Sequence, residues 1–160
     1  MTKVFDAVER QLRNCLPGGK FVGLSAARSR LMRAVRGKGN KSTEGRLRAA
    51  LARAGIRGWV VEPRGVLGSP DFLFPDEQIA VFVDGCFWHG CQRCGHVPKS
   101  NSRFWRAKIR RNQERDRFYS SALRRRGYRV LRFWEHHLSD LEFCLSKIQR
   151  SLGSARRKGV

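Results

Sequence analysis

The stretch SPDFLFPDEQIAVFVDG, residues 69–85, decides how this chain folds. DFLF (71–74) predicts a short strand and PDEQ (75–78) its hairpin turn. IAVFVDG (79–85) is a continuous apolar run of the kind found in a buried central strand. The hairpin brings Asp71, which follows Pro70, towards Asp84 at the end of the second strand. Upstream, STEGRLRAALARAG (42–55) predicts a helix. Ser42 or Thr43 is its N-cap, Glu44 sits in the first turn where the dipole favours a carboxylate, and Gly55 closes it. Leu47, Ala50, Leu51 and Ala54 recur at helical spacing. WVVEP (59–63) reads as a strand and RGVLGSP (64–70) as a turn-rich connection.

Downstream, Ser102 to Arg126 reads as one long helix with Phe104, Ile109, Phe118 and Leu123 towards the core, ended by Gly127. YRVLRFWE (128–135) is a further strand, and LSDLEFCLSKIQRSL (138–152) a C-terminal helix. The order helix, strand, hairpin, long helix, strand, helix predicts an α/β sandwich around a mixed sheet.

Charge narrows the function. The 160 residues hold 34 Lys+Arg against 13 Asp+Glu, a net +21. Repulsion at that density opposes folding, so a polyanionic partner is the natural counterpart. The excess of Arg over Lys favours phosphates and base edges, pointing to nucleic acid. SAARSRLMRAVRGKGNK (25–41) reads as a basic arm that orders on DNA, with Met32 as an apolar point among arginines. Residues 1–24 form an N-terminal extension with no assigned role, 42–152 the main domain, and 153–160 a basic tail. No stretch approaches the ~20 apolar residues of a membrane span. The N-terminus lacks the apolar region of a secretory signal. The expected location is cytoplasmic, nucleoid-associated in a bacterium, with no membrane partner.

In a reducing compartment, clustered cysteines point to a metal site. Cys86, Cys91 and Cys94 are spaced C-x4-C-x2-C, which lets thiolates converge on a tetrahedral Zn2+. A fourth ligand must come from His89, His96 or a distant residue, and His136 and His137 lie just past the last strand. A closed four-ligand site has no open position for water, so this zinc is structural. Cys15 and Cys144 read as lone small apolar residues.

In a chain poor in acid, Asp71, Asp84 and Glu44 need a reason. Carboxylates converging at a sheet end make an oxygen-rich site for Mg2+, which activates water and neutralises charge on a scissile phosphate. His89, shortly after Asp84, is placed to take a proton from that water. A helical Glu, then P-D, then a buried strand is the pattern of the nuclease fold whose restriction-enzyme members use a P-D…(D/E)-x-K core. The last part is missing, since VDG has no Lys two residues after the Asp. On spacing alone, Asp71 capping a turn and Asp84 ending a strand is the competing reading.

The combined motifs are more specific. SRLMRAV, STEGRLRAAL, SPDFLF, FVDGCFWHG, FWRAKIRRNQERDR and GYRVLRFWEHH, in that order over about residues 25–140, resemble the very-short-patch repair endonucleases, the DNA mismatch endonuclease family. The resemblance implies a restriction-endonuclease-like (PD-(D/E)xK-type) α/β core with a mixed sheet, flanking helices and a structural zinc loop. It implies Mg2+-dependent nicking of one strand of duplex DNA beside a T·G mismatch left by deamination of 5-methylcytosine. Carried over by position, Asp71 is the central Mg2+ ligand, helped by the backbone carbonyl of Val83. His89 stands near the attacking water and Glu44 supports the site. Cys86, Cys91, Cys94 and His136 hold zinc, with His137 and His96 as competitors for the last place. Phe87, Trp88 and Trp105 wedge into the base stack, with Met32 pressing from the arm. Asp84 stands where some members carry a second active-site His, as a metal ligand or a partner of the hydrated metal. Val83 replaces a hydroxyl residue. The implied partners are mismatched double-stranded DNA, bound by a monomer, with links to a cytosine-5 methyltransferase and to mismatch-repair proteins. The alternatives are a restriction-like or lesion nickase without T·G specificity, and a zinc-containing DNA-binding module without catalysis.

Overall fold

The computed structural model describes residues 43–157, together with 12, 14–16, 18, 20 and 21. The basic arm at 25–41, Met32, Ser42 and most of the 1–24 extension lie outside the described residues. Helix α1 (Glu44–Arg53) has Thr43 at its N-cap position and buries Leu47, Ala50 and Leu51 on one face. Ala54, expected on that stripe, is exposed at the helix end, and Gly55 follows in the left-handed region at φ 66°.

Four strands form one sheet in the order β1-β2-β3-β4. β1 (Val60–Val61) is shorter than the expected 59–63 because Glu62 takes a positive φ of 44° and leaves the extended conformation. β2 (Phe72–Phe74) and β3 (Ile79–Asp84) make the expected antiparallel hairpin, with Phe72 opposite Val81 and Phe74 opposite Ile79. β4 (Arg129–Trp134) pairs with β3 in parallel, Ile79 beside Arg129 through Asp84 beside Trp134. A parallel pair needs a long crossover. The cysteine-bearing loop and helix α2 (Ser102–Arg125) supply it. A short 3-10 turn, Glu135–Ser139, then leads into helix α3 (Leu141–Arg156).

The sheet is mixed and covered on both faces. Side chains alternate along each strand. Phe72, Phe74, Ile79, Val81 and Phe133 face the larger core, packed with Leu47 and Leu51 of α1 and with Cys144, Leu145, Ile148 and Leu152 of α3. Leu73, Ala80 and Phe82 face the other way, with Leu123 of α2 and the half-buried Tyr128 and Val130. The second core is small, and its strand positions become polar towards the C-terminal ends of β3 and β4. That transition creates the site.

Two expectations change. Phe118 does not face the core and is 48% exposed. The inner stripe of α2 runs instead through Trp105, Asn112, Ser120 and Leu123, all buried. Phe118 lies off that stripe by the helical period. The C-terminal helix does not stop at residue 152 but continues to Arg156, so the first part of the expected basic tail is helical. Arg129 of β4 donates to the Ser151 carbonyl (2.9 Å) and to Ser154 Oγ (2.6 Å). With burial of Leu152, these bonds offset the ~1 kcal/mol helix cost of Gly153. No helix among the described residues is long and apolar enough to cross a membrane.

Ile148 is fully buried at the centre of the larger core. Ile148→Ala is expected to cost about 2–4 kcal/mol, from lost transfer energy plus a cavity. Urea unfolding should show a lower midpoint with an unchanged slope.

Candidate active site

Strand alternation puts positions 71, 73, 80, 82, 84, 130 and 132 on the face beneath α2. Leu73, Ala80, Phe82 and Val130 fill the apolar part. Asp71, Asp84 and Arg132 are the polar members, and α2 answers them with Asp116 and Ser120. Asp71, Val83, Asp84, His89, Arg115, Asp116, Tyr119 and Arg132 line part of a cavity of about 390 Å³.

Asp71 is a carboxylate whose charge its surroundings disfavour. Its Oδ2 accepts a 2.6 Å hydrogen bond from the Val83 N–H. Burial pushes its pKa up from 3.8 to about 7. The Val83 N–H works against that rise, while the negative charge and hydrogen bond of Glu44, and the charge of Asp84, add to it. So the structure brings three of the singled-out carboxylates within reach of one another. The net effect at Asp71 is to disfavour its negative charge, an environment suited to a divalent cation.

His89 has a different setting. Its Nδ1 lies 2.5 Å from Asp116 Oδ2 and 3.6 Å from Asp84 Oδ1. A carboxylate on Nδ1 favours the tautomer with the proton there, leaving Nε2 as the basic atom. Burial works against the Asp116 charge, but the His89 hydrogen bond and the Arg132 charge hold its pKa below the usual carboxylate range. Arg132 grips Asp84 with a fork of bonds, Nε to Oδ2 at 2.7 Å and Nη2 to Oδ1 at 2.5 Å. Its Nη2 is also 3.3 Å from Asp116 Oδ1.

The loop that carries His89 is fixed from α2. Asn112 Nδ2 donates to the Trp88 carbonyl (2.8 Å) and Gln113 Nε2 to the His89 carbonyl (3.1 Å). Gly90, at φ 67°, lets the loop approach. A Cβ there would come 2.6 Å from Ile109 Cγ2 and from Gln113 Nε2. Asp116, Asn112, Gln113, Ser120 and Arg132 were not singled out from the sequence. The available signal was a helical stripe, 105, 109, 112, 116, 120 and 123, that turns polar in its middle, where a core helix would stay apolar.

Beyond His89 the loop closes into a cysteine cluster. The Sγ atoms of Cys86 and Cys94 each lie 3.3 Å from His136 Nδ1, that of Cys91 3.6 Å, and Cys91 and Cys94 are 3.6 Å apart. Tetrahedral Zn2+ with ordinary bond lengths sets S···S near ~3.8 Å and S···N near ~3.6 Å. The donor set and spacing fit such an ion. Contact with Cys86, burial and contact with Cys91 push the Cys94 thiol up to about 12. For Cys91, burial is outweighed by backbone donors of Cys94 and Arg93 and by contacts with Cys94 and Cys86, which lower its pKa. Of the histidine alternatives, His137 accepts the Trp134 N–H at Nδ1 (3.2 Å), His96 is exposed beside Phe87, and His89 belongs to Asp116. Cys86 N–H also donates to Glu135, at 3.3 Å.

An aromatic cluster adjoins both sites. Phe87, Trp88 and Trp105 meet edge to face with ring centres 5.0–6.0 Å apart, and Phe104 and Phe21 extend the group. Phe87 and Trp88 are half-buried, and Trp105 lies beneath them, 7% exposed.

An α/β core with carboxylates, a carboxylate-held histidine and a strongly basic chain around them has the makings of a phosphodiester hydrolase. Comparison with known proteins agrees. Residues 23–95 match the family model described as DNA mismatch endonuclease Vsr. The chain is 45% identical over 117 residues to the type II nicking enzyme V.NaeI of Lentzea aerocolonigenes, covering 71% of this chain and 70% of that one. It is 41% identical over 121 residues to V.XorIIP of Xanthomonas oryzae pv. oryzae, covering 74% and 87%. It is 38% identical over 119 residues to the DNA mismatch endonuclease Vsr of Escherichia coli K12, covering 73% and 74%. The protein is a DNA endonuclease, and the chain belongs to the Vsr DNA mismatch endonuclease family.

The raised Asp71 pKa has a measurable consequence. The folded state keeps a proton that the unfolded chain releases above 3.8, so this group's contribution to stability falls as pH rises from about 4 to about 7. Without added Mg2+, Asp71→Asn should therefore raise the melting temperature at pH 8 by a few degrees, about 2–4 °C per kcal/mol relieved. The gain should shrink at pH 5, as calorimetry at the two values would show. A lower melting temperature at pH 8 would contradict the strain.

Proposed function

We propose that the protein is a Mg2+-dependent endonuclease of the PD-(D/E)xK type that nicks one strand of duplex DNA beside a T·G mismatch, the step that opens very short patch repair. The observation that carries this is the crowded carboxylate of Asp71, held against Glu44 and the Val83 N–H, in the same cavity as a histidine held by Asp116. Asp71 is the central Mg2+ ligand, supported by Glu44 and by the backbone carbonyl of Val83. When bound there, Mg2+ would activate the attacking water and neutralise charge on the scissile phosphate. His89 takes the proton from water at Nε2, and Asp116 holds the ring for that task and stabilises the imidazolium that results. Asp84 acts on this group from beside it.

Cys86, Cys91, Cys94 and His136 are proposed to hold a structural zinc that ties the loop to the end of β4. Phe87, Trp88 and Trp105, with Met32 from the basic arm at 25–41, are proposed to enter the base stack beside the mismatch. A side-chain wedge costs a few kcal/mol of stacking, and a mispair lowers that cost. Trp105 must leave its buried position to take part. DNA as substrate fits a cytoplasmic, nucleoid-associated location and a partner methyltransferase whose product, once deaminated, makes the lesion.

A nicking assay on labelled duplexes with Mg2+ tests the reading, using T·G, other mismatches and matched pairs in varied flanking contexts. The expected result is a single nick beside the mispaired T, lost by at least ~100-fold in Asp71→Ala while binding is kept. Cutting of matched DNA would favour a restriction-like nickase. Tight binding with no cutting in any context would leave a binding module. Metal analysis should find about one Zn per chain. Cys91→Ser should lose it together with the near-ultraviolet dichroism of the packed aromatics, whereas a zinc-free, well-folded wild type would refute the cluster's role.

A further inference from the structure

Arg132 is the guanidinium to which both Asp84 and Asp116 turn. It sits on the polar end of β4, opposite Phe82 of β3 and beneath α2. All of its guanidinium nitrogens are engaged. Nε and Nη2 clasp both oxygens of Asp84, Nη2 also reaches Asp116, and Nη1 donates to Ser120 Oγ at 3.2 Å. The guanidinium carbon lies 4.6 Å from the centre of the Phe82 ring, so the cation also rests on an aromatic face. Asp84 is 6% exposed.

Apart from Arg132, Asp84, His89 and Asp116 make a familiar constellation. One donor atom from each lies within 4.8 Å of the others, in a mixed carboxylate and imidazole set. Such a set, beside a cation at Asp71, is the arrangement from which two-metal nucleases are built. In this chain the guanidinium already satisfies both Asp84 oxygens and approaches the free oxygen of Asp116.

We propose that Arg132 is a built-in substitute for a second divalent cation, so that the site works with a single metal ion at Asp71. Arg132 is a positioning residue in this role. It neutralises Asp84, keeps Asp84 from binding metal directly, and leaves the remaining oxygen of Asp116 to hold His89. A planar fork fixed by two carboxylates, a hydroxyl and a ring does this with fixed geometry, which a flexible lysine would not. The inference rests on Asp71 and Glu44 being the cation site, and the test separates the two.

Mn2+ serves as the probe, counted by electron paramagnetic resonance on the full chain with its zinc retained and without DNA. Wild type should bind about one Mn2+ and Arg132→Met about two, because the vacated donors become a second site. Asp84→Asn combined with Arg132→Met should return the number to about one. Arg132→Gln, neutral but still able to hydrogen-bond Asp84, carries the same expectation as Arg132→Met and serves if that variant unfolds. The nicking rate should rise with about the first power of Mg2+ in wild type and more steeply in the neutral variants. A wild type that binds two Mn2+, or folded neutral variants that still bind one, would overturn the proposal and leave Arg132 an ordinary ion-pair partner. Asp71→Asn reports on the underlying reading alone. Loss of the wild-type Mn2+ sustains it. Retention overturns the Asp71 assignment, and with it the single-metal arrangement built on it, even where the neutral variants gain an ion.

Discussion

The parallel pairing of β3 with β4 sets Asp84 beside Trp134, so both strands end at the same level of the sheet. Two residues further on, each chain reaches a member of the cysteine cluster, Cys86 from one strand and His136 from the other. The same register lays Arg132 beside Phe82 and within reach of Asp84. A slip of one residue would turn every side chain to the opposite face. Asp84 and Arg132 would then enter the apolar core under α3, and Val83 and Phe133 would face α2. The cost of burying those two charged groups in an apolar core opposes the slip, whereas the apolar run of β3 would by itself tolerate either face.

That constraint also separates what was legible in the sequence from what was not. Helix α1, the β2–β3 hairpin and the cysteine spacing are local patterns, each readable within about a dozen residues. The proximity of Asp71 to Asp84 followed from the hairpin. Asp116 and Arg132 could not be found that way. One becomes visible only when the inner face of a 24-residue helix is known, the other only when a parallel partner is assigned. His136 and His137 were indistinguishable by spacing. The 3-10 turn that opens at Glu135 directs one ring to the cysteines and lets the other accept the Trp134 N–H. Phe118 was misplaced because apolar character suggested burial, whereas α2 spends its inner face on polar contacts to the loop and Arg132.

The charge distribution has a consistent logic. A chain with net charge +21 draws DNA to its surface by counterion release and long-range attraction. At the candidate site carboxylates gather: Asp71, Asp84 and Asp116 line one cavity and Glu44 acts on Asp71, and on the proposed reading the phosphate backbone must approach them. Carboxylates so placed repel a phosphate unless cations stand between them. Arg132 supplies one such charge from the chain itself and is held by Asp84 and Asp116. Asp71 accepts the Val83 N–H, yet burial and the neighbouring negative charge disfavour its ionised form, which is where a metal ion has the most to offer.

On the proposed reading, the loop between β3 and α2 joins functions that could have been kept apart. Within residues 84–96 it carries the histidine held by Asp116, two half-buried aromatics and three cysteines. Such a loop would be mobile if tied only at its ends, and a mobile loop would misplace His89 relative to Asp71. Three ties fix it instead: Asn112 and Gln113 from α2, the Glu135 carboxylate on the Cys86 N–H, and the convergence of cysteines on His136. On the proposed reading, an aromatic wedge that meets well-stacked DNA pushes back on this same rigid unit. A mispair that yields lets the loop seat with His89 in place. Because Phe87 and Trp88 directly precede His89 in the chain, recognition and chemistry need no separate relay between them.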